Sequence, residues 1–461
     1  MTVPAHVFRE YDIRGIVGQD LTRELVHAVG RAYGTVLIMS KEPGGVDGRA
    51  PVVVVGHDNR PSSPELAEAL ISGILSTGVD VLGVGTVPTP VAYWAEKMVG
   101  SDGALQVTGS HNPPEWNGIK MTLRGDSFYG DDVRALRGRI LQGDFASGHG
   151  KRTDTLVLDR YVDDLARRFR LAGPVKVVVD CGNGAGSVVA VRLLERLGAE
   201  VVPLYCESDG TFPNHHPDPS VEENLRELIR QVGLTGAALG VAFDGDADRL
   251  GAVDDKGRII RGDVLLLLFG LDLLERRGPG QLLIYDVKCS QLLPEVYEAA
   301  GGKGLMWKTG HSLMKEKMKE TGAPLAGELS GHVMFADDYI GTDDALYGAC
   351  RLLEMVARSE RPLSARVDAL PVYCSTPEVR IEVSEESKVG IVSAAVEHFR
   401  RRYEVITVDG ARILFPEGWA LLRASNTQPI LVARFEARDP VRLCEIRGEV
   451  EAWLAAQGVH V

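Results

Sequence analysis

A chain of 461 residues is too long for one hydrophobic core, and a prior of about 100–150 residues per domain predicts three or four domains. Apolar residues at 44% and charged residues at 25% describe an ordinary globular protein and exclude a disordered or fibrous one. A formal net charge of −13 argues against a nucleic-acid or anionic-membrane surface, so an anionic small substrate needs its own local cluster of cations.

Met1 to Arg14 is charged and lacks a long apolar segment, which predicts no signal peptide. Within it, Phe8 to Gly15 mixes aromatic, acidic and basic groups. Thr22 to Tyr33 has helical periodicity with Thr22 as the cap, and Lys41 to Ala50 reads as a Pro/Gly-rich loop. A pattern then begins that recurs. Pro51 to Val55 is an apolar, β-branched strand buried on both faces, followed by a polar loop (Gly56 to Ser63), a helix (Pro64 to Thr77) and a second strand (Val79 to Gly83). The order returns with strand Val175 to Val179, helix Ser187 to Leu197 and strand Glu200 to Leu204. It returns again with strand Gln281 to Tyr285 and helix Gln291 to Ala300. Three such units, spaced on the order of a hundred residues, predict a triplicated α/β domain. Val264 to Leu274, the most apolar run, falls short of the ~20 residues of a membrane span and reads as a buried helix. After Pro371 come strands (Glu378 to Val383, Ala411 to Phe415, Trp419 to Ala424, Ile430 to Glu436) and helices (Lys388 to Tyr403, Leu443 to Gln457), which predict a small α+β domain. Boundaries fall near Arg152, Asp255 and Pro371, giving domains 1–152, 153–255, 256–371 and 372–461. Six scattered cysteines without CxxC or zinc spacing predict reduced thiols in a cytoplasmic protein.

Four stretches carry candidate chemistry. Thr108-Gly109-Ser110-His111-Asn112-Pro113 follows a weakly apolar run, and Pro113 and Pro114 place the serine on a fixed loop, with Lys120 ten positions on. This is a nucleophile site or a plain Ser-Asn-Pro turn. Asp244-Gly245-Asp246-Ala247-Asp248-Arg249 joins two apolar runs; its alternating carboxylates repel unless a cation sits among them, and hard oxygen donors suit Mg²⁺. A solvated acidic turn is the bland alternative, and an EF-hand fails because Arg249 stands where its loop needs glycine. Gly327-Glu328-Leu329-Ser330-Gly331-His332 suits a polyol or is a capped loop. Arg423-Ala424-Ser425-Asn426-Thr427-Gln428-Pro429 is a phosphate cradle or a simple turn. Asp286-Val287-Lys288 and Thr309-Gly310-His311 add a cation and donors.

Phosphoryl transfer to and from a sugar phosphate accounts for all four stretches together. With these motifs in this order along the whole length, the chain resembles the α-D-phosphohexomutase family, most of all its phosphomannomutase/phosphoglucomutase branch. The resemblance implies three related mixed α/β domains plus a smaller α+β C-terminal domain around a central cleft, serving phosphoserine, metal, sugar and phosphate in turn. It implies that Ser110 carries the phosphoryl group and, with Asp244, Asp246 and Asp248, holds Mg²⁺. Glu328 and Ser330 are expected at the sugar hydroxyls with His332 nearby, and Arg423, Ser425, Asn426 and Thr427 at the phosphate that stays. Tyr11, Arg14, His111, Lys120, Arg249, Lys288 and His311 match cleft positions, with Thr309 and Gly310 adjoining; Lys120 and His111 are candidates for moving the hydroxyl proton, with His332 and Arg249 as rivals. The implied reaction interconverts hexose 6-phosphate and hexose 1-phosphate, of mannose or glucose, through a hexose 1,6-bisphosphate that also serves as activator. A phosphoglucosamine mutase, or an aspartyl-phosphate phosphatase using Asp244, is the alternative. The expected partners are hexose phosphates, without nucleic acid or membrane, for a monomer or alternatively a dimer. Four residues depart from the family pattern. Gly109 is expected to loosen its loop, Ala247 replaces a frequent glycine, Gln428 replaces glutamate, and Leu329 leans toward mannose and glucose.

Overall fold

The computed structural model describes residues 2–40, 49–425 and 428–460. Most of the predicted Pro/Gly-rich loop (41–48), together with Asn426 and Thr427, lies outside the described residues. Val52 to Val55 shows why the repeat pattern was legible. β-Branched side chains are stiff at χ1 and pack well on a pleated surface, and here they form the strand Val52–His57, with Val53, Val54 and Val55 almost wholly buried. That strand pairs in parallel with Asp80–Thr86 on one side and Ala104–Val107 on the other. Trp116–Leu123 then runs antiparallel to Ala104–Val107, and Ile13–Ile16 antiparallel to Trp116–Leu123. The second sheet repeats the order. Lys176–Asp180 lies parallel to Glu200–Leu204 and to Leu239–Phe243, and Leu250–Asp254 returns antiparallel to Leu239–Phe243. In the third set Leu282–Asp286 is parallel to both Lys303–Trp307 and Leu325–Gly327.

The mixed α/β triplication therefore appears in the pairing itself. In each copy the chain leaves the third strand into one of the motifs: Thr108 onward, Asp244 onward and Glu328 onward. Loops beyond the carboxyl ends of parallel strands are where open α/β sheets place their ligand groups.

The chain forms two compact units, Met1–Gly262 with Ser330–Ala365, and Asp263–Leu329 with Arg366–Val461. The first holds the first two sheets; its larger core packs the helices Arg23–Met39 and Ser63–Leu75 against Val53, Val55, Leu105 and Ile119. Thr22 caps the first of these helices, accepting the Leu25 N–H as expected. The second unit holds the third set of strands and an antiparallel sheet centred on Gly418–Ala424 and Ile430–Ala437, covered by the helices Lys388–Phe399 and Pro440–Ala456.

Several boundaries differ from expectation: the helix predicted from Thr22 to Tyr33 runs on to Met39, the one predicted from Lys388 to Tyr403 stops at Phe399, and two more have a visible local cause. The last helix starts at Pro440 because Asp439 accepts the N–H groups of Val441 and Arg442. The predicted helix Ser187 to Leu197 is a 3₁₀ turn, Ala185–Val188, then a helix, Ala190–Arg196; the Ala185 N–H is given to the Gly245 carbonyl instead (2.8 Å). All six cysteines are free thiols, and no helix among the described residues is long and apolar enough to cross a membrane.

Candidate active site

The buried strand Ala104–Val107 ends at Thr108, whose hydroxyl donates to Asp58 Oδ2 (2.7 Å) and accepts the Ser110 N–H (2.9 Å). Ser110 has φ 49°, a left-handed conformation uncommon outside glycine, and so needs support from its surroundings. Arg60, completely buried, supplies it by donating to the carbonyls of Ser110, Asn112, Pro113 and Trp116. Gly109 does not loosen this loop, contrary to the sequence expectation. A Cβ at Gly109 would lie 2.5 Å from Arg60 Cζ, so the glycine is what admits the guanidinium. Nothing in the polar stretch Gly56 to Ser63 had marked Asp58 or Arg60.

Ser110 Oγ is buried. It donates to Asp244 Oδ2 (3.0 Å) and lies 3.1 Å from His111 Nδ1. The other Asp244 oxygen accepts the N–H groups of Asp248 (3.0 Å) and Arg249 (3.1 Å), closing the acidic loop on itself. Ala247 has φ 60° there, which accounts for the family's frequent glycine. Asp244, Asp246 and Asp248 are completely buried, with one oxygen from each within 4.8 Å of the others. Part of the cation that this arrangement demands is Lys120, from the strand Trp116–Leu123. Its ammonium sits 2.7 Å from Asp246 Oδ2 and 2.5 Å from Asp248 Oδ2. Thr89 Oγ1 also donates to Asp246 Oδ2 (2.5 Å), and Asp246 Oδ1 keeps no hydrogen-bond partner among the described residues.

Electrostatics sort these groups. Burial, then Asp248 and Asp246, push the Asp244 carboxyl well above the usual range. Burial would raise Asp248 as well, but Lys120 and His332 outweigh it and hold that carboxyl well below. Burial would lower Lys120, yet Asp246 and Asp248 keep its ammonium well above the ordinary value. One ammonium among three buried acids leaves room for further positive charge, and an orphaned carboxylate oxygen is a donor that a hard cation can use. The donor set fits Mg²⁺.

Burial, with Arg249 and Arg14, pushes the His111 imidazole well below the histidine range, so it is neutral beside the serine. Arg14, in the strand Ile13–Ile16, donates to Asn112 Oδ1 (2.6 Å) and pairs with Asp12. Tyr11, half-buried, precedes that strand. Arg249 and His332 form a backbone bridge with Arg249 Nε 3.4 Å from His332 Nε2. His332 Nε2 lies 3.3 Å from Asp248 Oδ1, and Ser330 Oγ 3.0 Å from His332 Nδ1. The first unit thus gathers Ser110, His111, Lys120, the three aspartates, Arg249, Ser330 and His332.

A second group assembles within the other unit. Asp286, ending its strand, accepts from Cys289 Sγ (3.0 Å), Thr309 Oγ1 (3.2 Å) and the Leu329 N–H (3.4 Å). Lys288 pairs with Glu378 (2.8 Å). Glu328 Oε1 accepts the N–H of Gly310, whose φ of 135° favours glycine (2.5 Å). His311 then opens the helix His311–Thr321. Asp409 Oδ2 takes both the Thr309 N–H (3.1 Å) and Arg423 Nε (3.1 Å), tying two predicted stretches together. Lys388 Nζ holds the Ser425 carbonyl (2.7 Å). Asp409, Glu378 and Lys388 had no sequence signal beyond being charged.

Repeated α/β sheets whose third-strand loops bring a buried serine onto an acidic triad define a multidomain α/β phosphotransfer enzyme. Residues 5–146, 159–257 and 261–373 match the phosphoglucomutase/phosphomannomutase alpha/beta/alpha domains I, II and III, and 378–452 match that family's C-terminal domain. A phosphomannomutase/phosphoglucomutase of Pseudomonas aeruginosa is 47% identical over 97% of this chain and 95% of its own. A phosphoglucomutase of Neisseria gonorrhoeae is 42% identical over 98% and 97%. The crystal structure of a phosphoglucomutase/phosphomannomutase family protein from Burkholderia thailandensis superposes with a TM-score of 0.91 at 43% identity, covering 99% of this chain and 98% of that one. The chain belongs to the phosphoglucomutase/phosphomannomutase family and is an enzyme, a phosphohexomutase of the isomerase class.

Proposed function

We propose that Ser110 is the phosphoryl carrier of a mutase acting on mannose and glucose phosphates. The observation that supports this most is Ser110 Oγ, buried and 3.0 Å from the carboxylate of Asp244. Phosphoserine 110 donates its phosphoryl group to the free hydroxyl of a hexose 6- or 1-phosphate. The new O–P bond forms as the bond to Ser110 Oγ breaks, and the hydroxyl proton passes to a base. The hexose 1,6-bisphosphate then returns its other phosphoryl group to Ser110, and added bisphosphate acts as activator by restoring phosphoserine where it has been lost. Positioning and charge stabilisation do most of the work in such transfers.

Asp244, Asp246 and Asp248, with Ser110, would hold Mg²⁺, which when bound offsets charge on the phosphoryl oxygens. Lys120, kept charged by its two aspartates, offsets charge in the same place, and His111, with Nδ1 3.1 Å from Ser110 Oγ, is the nearest imidazole to the proton that must move. Arg249 and His332 flank them. In the other unit Glu328, Thr309, Gly310, His311 and Lys288 serve the sugar, and Arg423, Ser425, Asn426 and Thr427 the phosphate that is not transferred; Tyr11, Arg14 and Ser330 complete the substrate contacts. Stretches 1–152, 153–255, 256–371 and 372–461 thus carry the phosphoserine, metal, sugar and phosphate duties. The name of the Pseudomonas aeruginosa relative supports mannose and glucose over glucosamine. An aspartyl-phosphate phosphatase fits less well, because both oxygens of Asp244 are engaged within the fold.

The test is peptide mass spectrometry after incubation with a hexose 1,6-bisphosphate and Mg²⁺. Acid-stable phosphate is expected on Ser110, and Ser110→Ala should lose turnover by orders of magnitude. Full turnover by that variant removes the serine from the mechanism.

A further inference from the structure

The Ser110 loop hangs from a side chain that touches none of the reacting groups. A guanidinium has five N–H donors in a rigid fork, and the Arg60 fork is completely used. Nε donates to Asp58 Oδ2 (3.0 Å), one terminal nitrogen to the carbonyls of Pro113 (2.6 Å) and Trp116 (3.1 Å), and the other to those of Ser110 (2.6 Å) and Asn112 (2.7 Å). Four carbonyls within seven residues converge on one buried cation. Asp58 completes the clamp from the other end of the loop, accepting the Thr108 hydroxyl (2.7 Å) and the Gly109 N–H (3.2 Å) on the oxygen that takes Arg60 Nε. Its second oxygen takes the Arg60 N–H (3.1 Å) and the Ser63 hydroxyl. The ring of Phe212 lies 5.0 Å from the guanidinium. A fork with no donor to spare and no exposed surface is not built to grip a substrate. It is built to hold backbone, and the backbone it holds is that of the left-handed serine.

We propose that Arg60 and Asp58 are positioning residues that fix the Ser110 oxygen against the acidic triad, so that they govern how fast phosphate leaves and returns to Ser110 and leave sugar-phosphate affinity largely alone. The proposal rests on the reading of Ser110 as the phosphoryl carrier. Lysine cannot replace the fork, since three donors on a flexible stem cannot serve four carbonyls and a carboxylate.

Arg60→Lys is therefore expected to lower kcat about a hundredfold, the scale of a loss near 1 Å in alignment, with KM within a few-fold of wild type. Asp58→Asn, which leaves the carbonyl contacts intact, should lower kcat less and in the same direction. Millimolar guanidinium should restore part of kcat to Arg60→Gly without altering KM, a response that a general loss of stability does not give. Tm and far-UV spectra confirm that each variant is folded, and Asp58→Asn stands in if the Arg60 variants are not. Wild-type enzyme incubated with a hexose 1,6-bisphosphate is the reference. If it takes no phosphate on Ser110, the serine reading fails. If it does, and folded Arg60→Lys and Asp58→Asn keep wild-type kcat or raise KM alone, the positioning role is overturned.

Discussion

Replacing Gly245 by alanine isolates the contact between the serine loop and the acidic loop. A Cβ on Gly245 would sit 2.4 Å from the Ser110 carbonyl oxygen, where ordinary contact begins near 3.4 Å, so the two loops must part by about 1 Å. Neither side yields easily. The Ser110 carbonyl is held by Arg60, and Gly245 is held by its N–H to the Pro217 carbonyl (3.2 Å) and its own carbonyl to the Ala185 N–H (2.8 Å). Gly245 is not among the glycines with positive φ, so alanine meets a steric obstacle rather than a backbone one. Overpacking of this kind costs about 1–3 kcal/mol, and the displacement stretches the Ser110–Asp244 hydrogen bond. A misplacement near 1 Å lowers turnover by roughly a hundredfold. The assay pairs kcat for glucose 1-phosphate isomerisation with Tm. Gly233→Ala is the control, since that position lies in the helix Arg226–Thr235 and, among the described residues, nothing beyond the helix's own backbone comes within 4 Å of the added Cβ. It should keep full activity and gain up to about 1 kcal/mol. A Gly245→Ala enzyme with wild-type kcat and Tm would refute the close packing of the two loops.

Three other outcomes are expected. Lys120→Met leaves Asp246 and Asp248 buried without their ammonium, so without metal it should lose about 3–5 kcal/mol and recover part of this in millimolar Mg²⁺; equal Tm for variant and wild type in EDTA counts against the pairing. Arg423→Ala should raise KM by the roughly 1.5–3 kcal/mol of a charged hydrogen bond with little change in kcat, and an unchanged KM removes Arg423 from phosphate binding. Asp344 is buried, and burial pushes its carboxyl up from 3.8 to about 6. The folded state then binds the proton more tightly than the unfolded one, so this group's contribution to stability falls as pH rises from about 4 to about 6, by roughly 3 kcal/mol. Asp344→Asn escapes the loss, and its Tm relative to wild type should climb across that window; a flat difference contradicts it.

What could be read from the sequence followed from local physics. Val52 to Val55 and Val175 to Val179 announce strands because a β-branched run buried on both faces has few other uses. The Asp244 loop was legible for a similar reason: strands Leu239–Phe243 and Leu250–Asp254 bracket it almost where the apolar runs stop. The strand Trp116–Leu123 was not legible, because Asn117, Lys120 and Thr122 are polar and yet buried, which erases the usual alternation. The contacts that build the site were also out of reach. Arg60 meets Ser110 only because Val52–His57 and Ala104–Val107 are neighbours in the sheet, and Lys120 meets Asp246 and Asp248 from a different sheet altogether. Distances of that kind are set by strand order, which no local pattern encodes.

The recurrence of chemistry after the third strand has a consequence for how such a protein diversifies. If each copy descends from one ancestral unit, the loop at that station could be rewritten in one copy while the scaffold of the others stayed intact. Change in the segment that follows Leu325–Gly327 then leaves the loops after Ala104–Val107 and Leu239–Phe243 untouched, so one station varies while the other two hold their geometry.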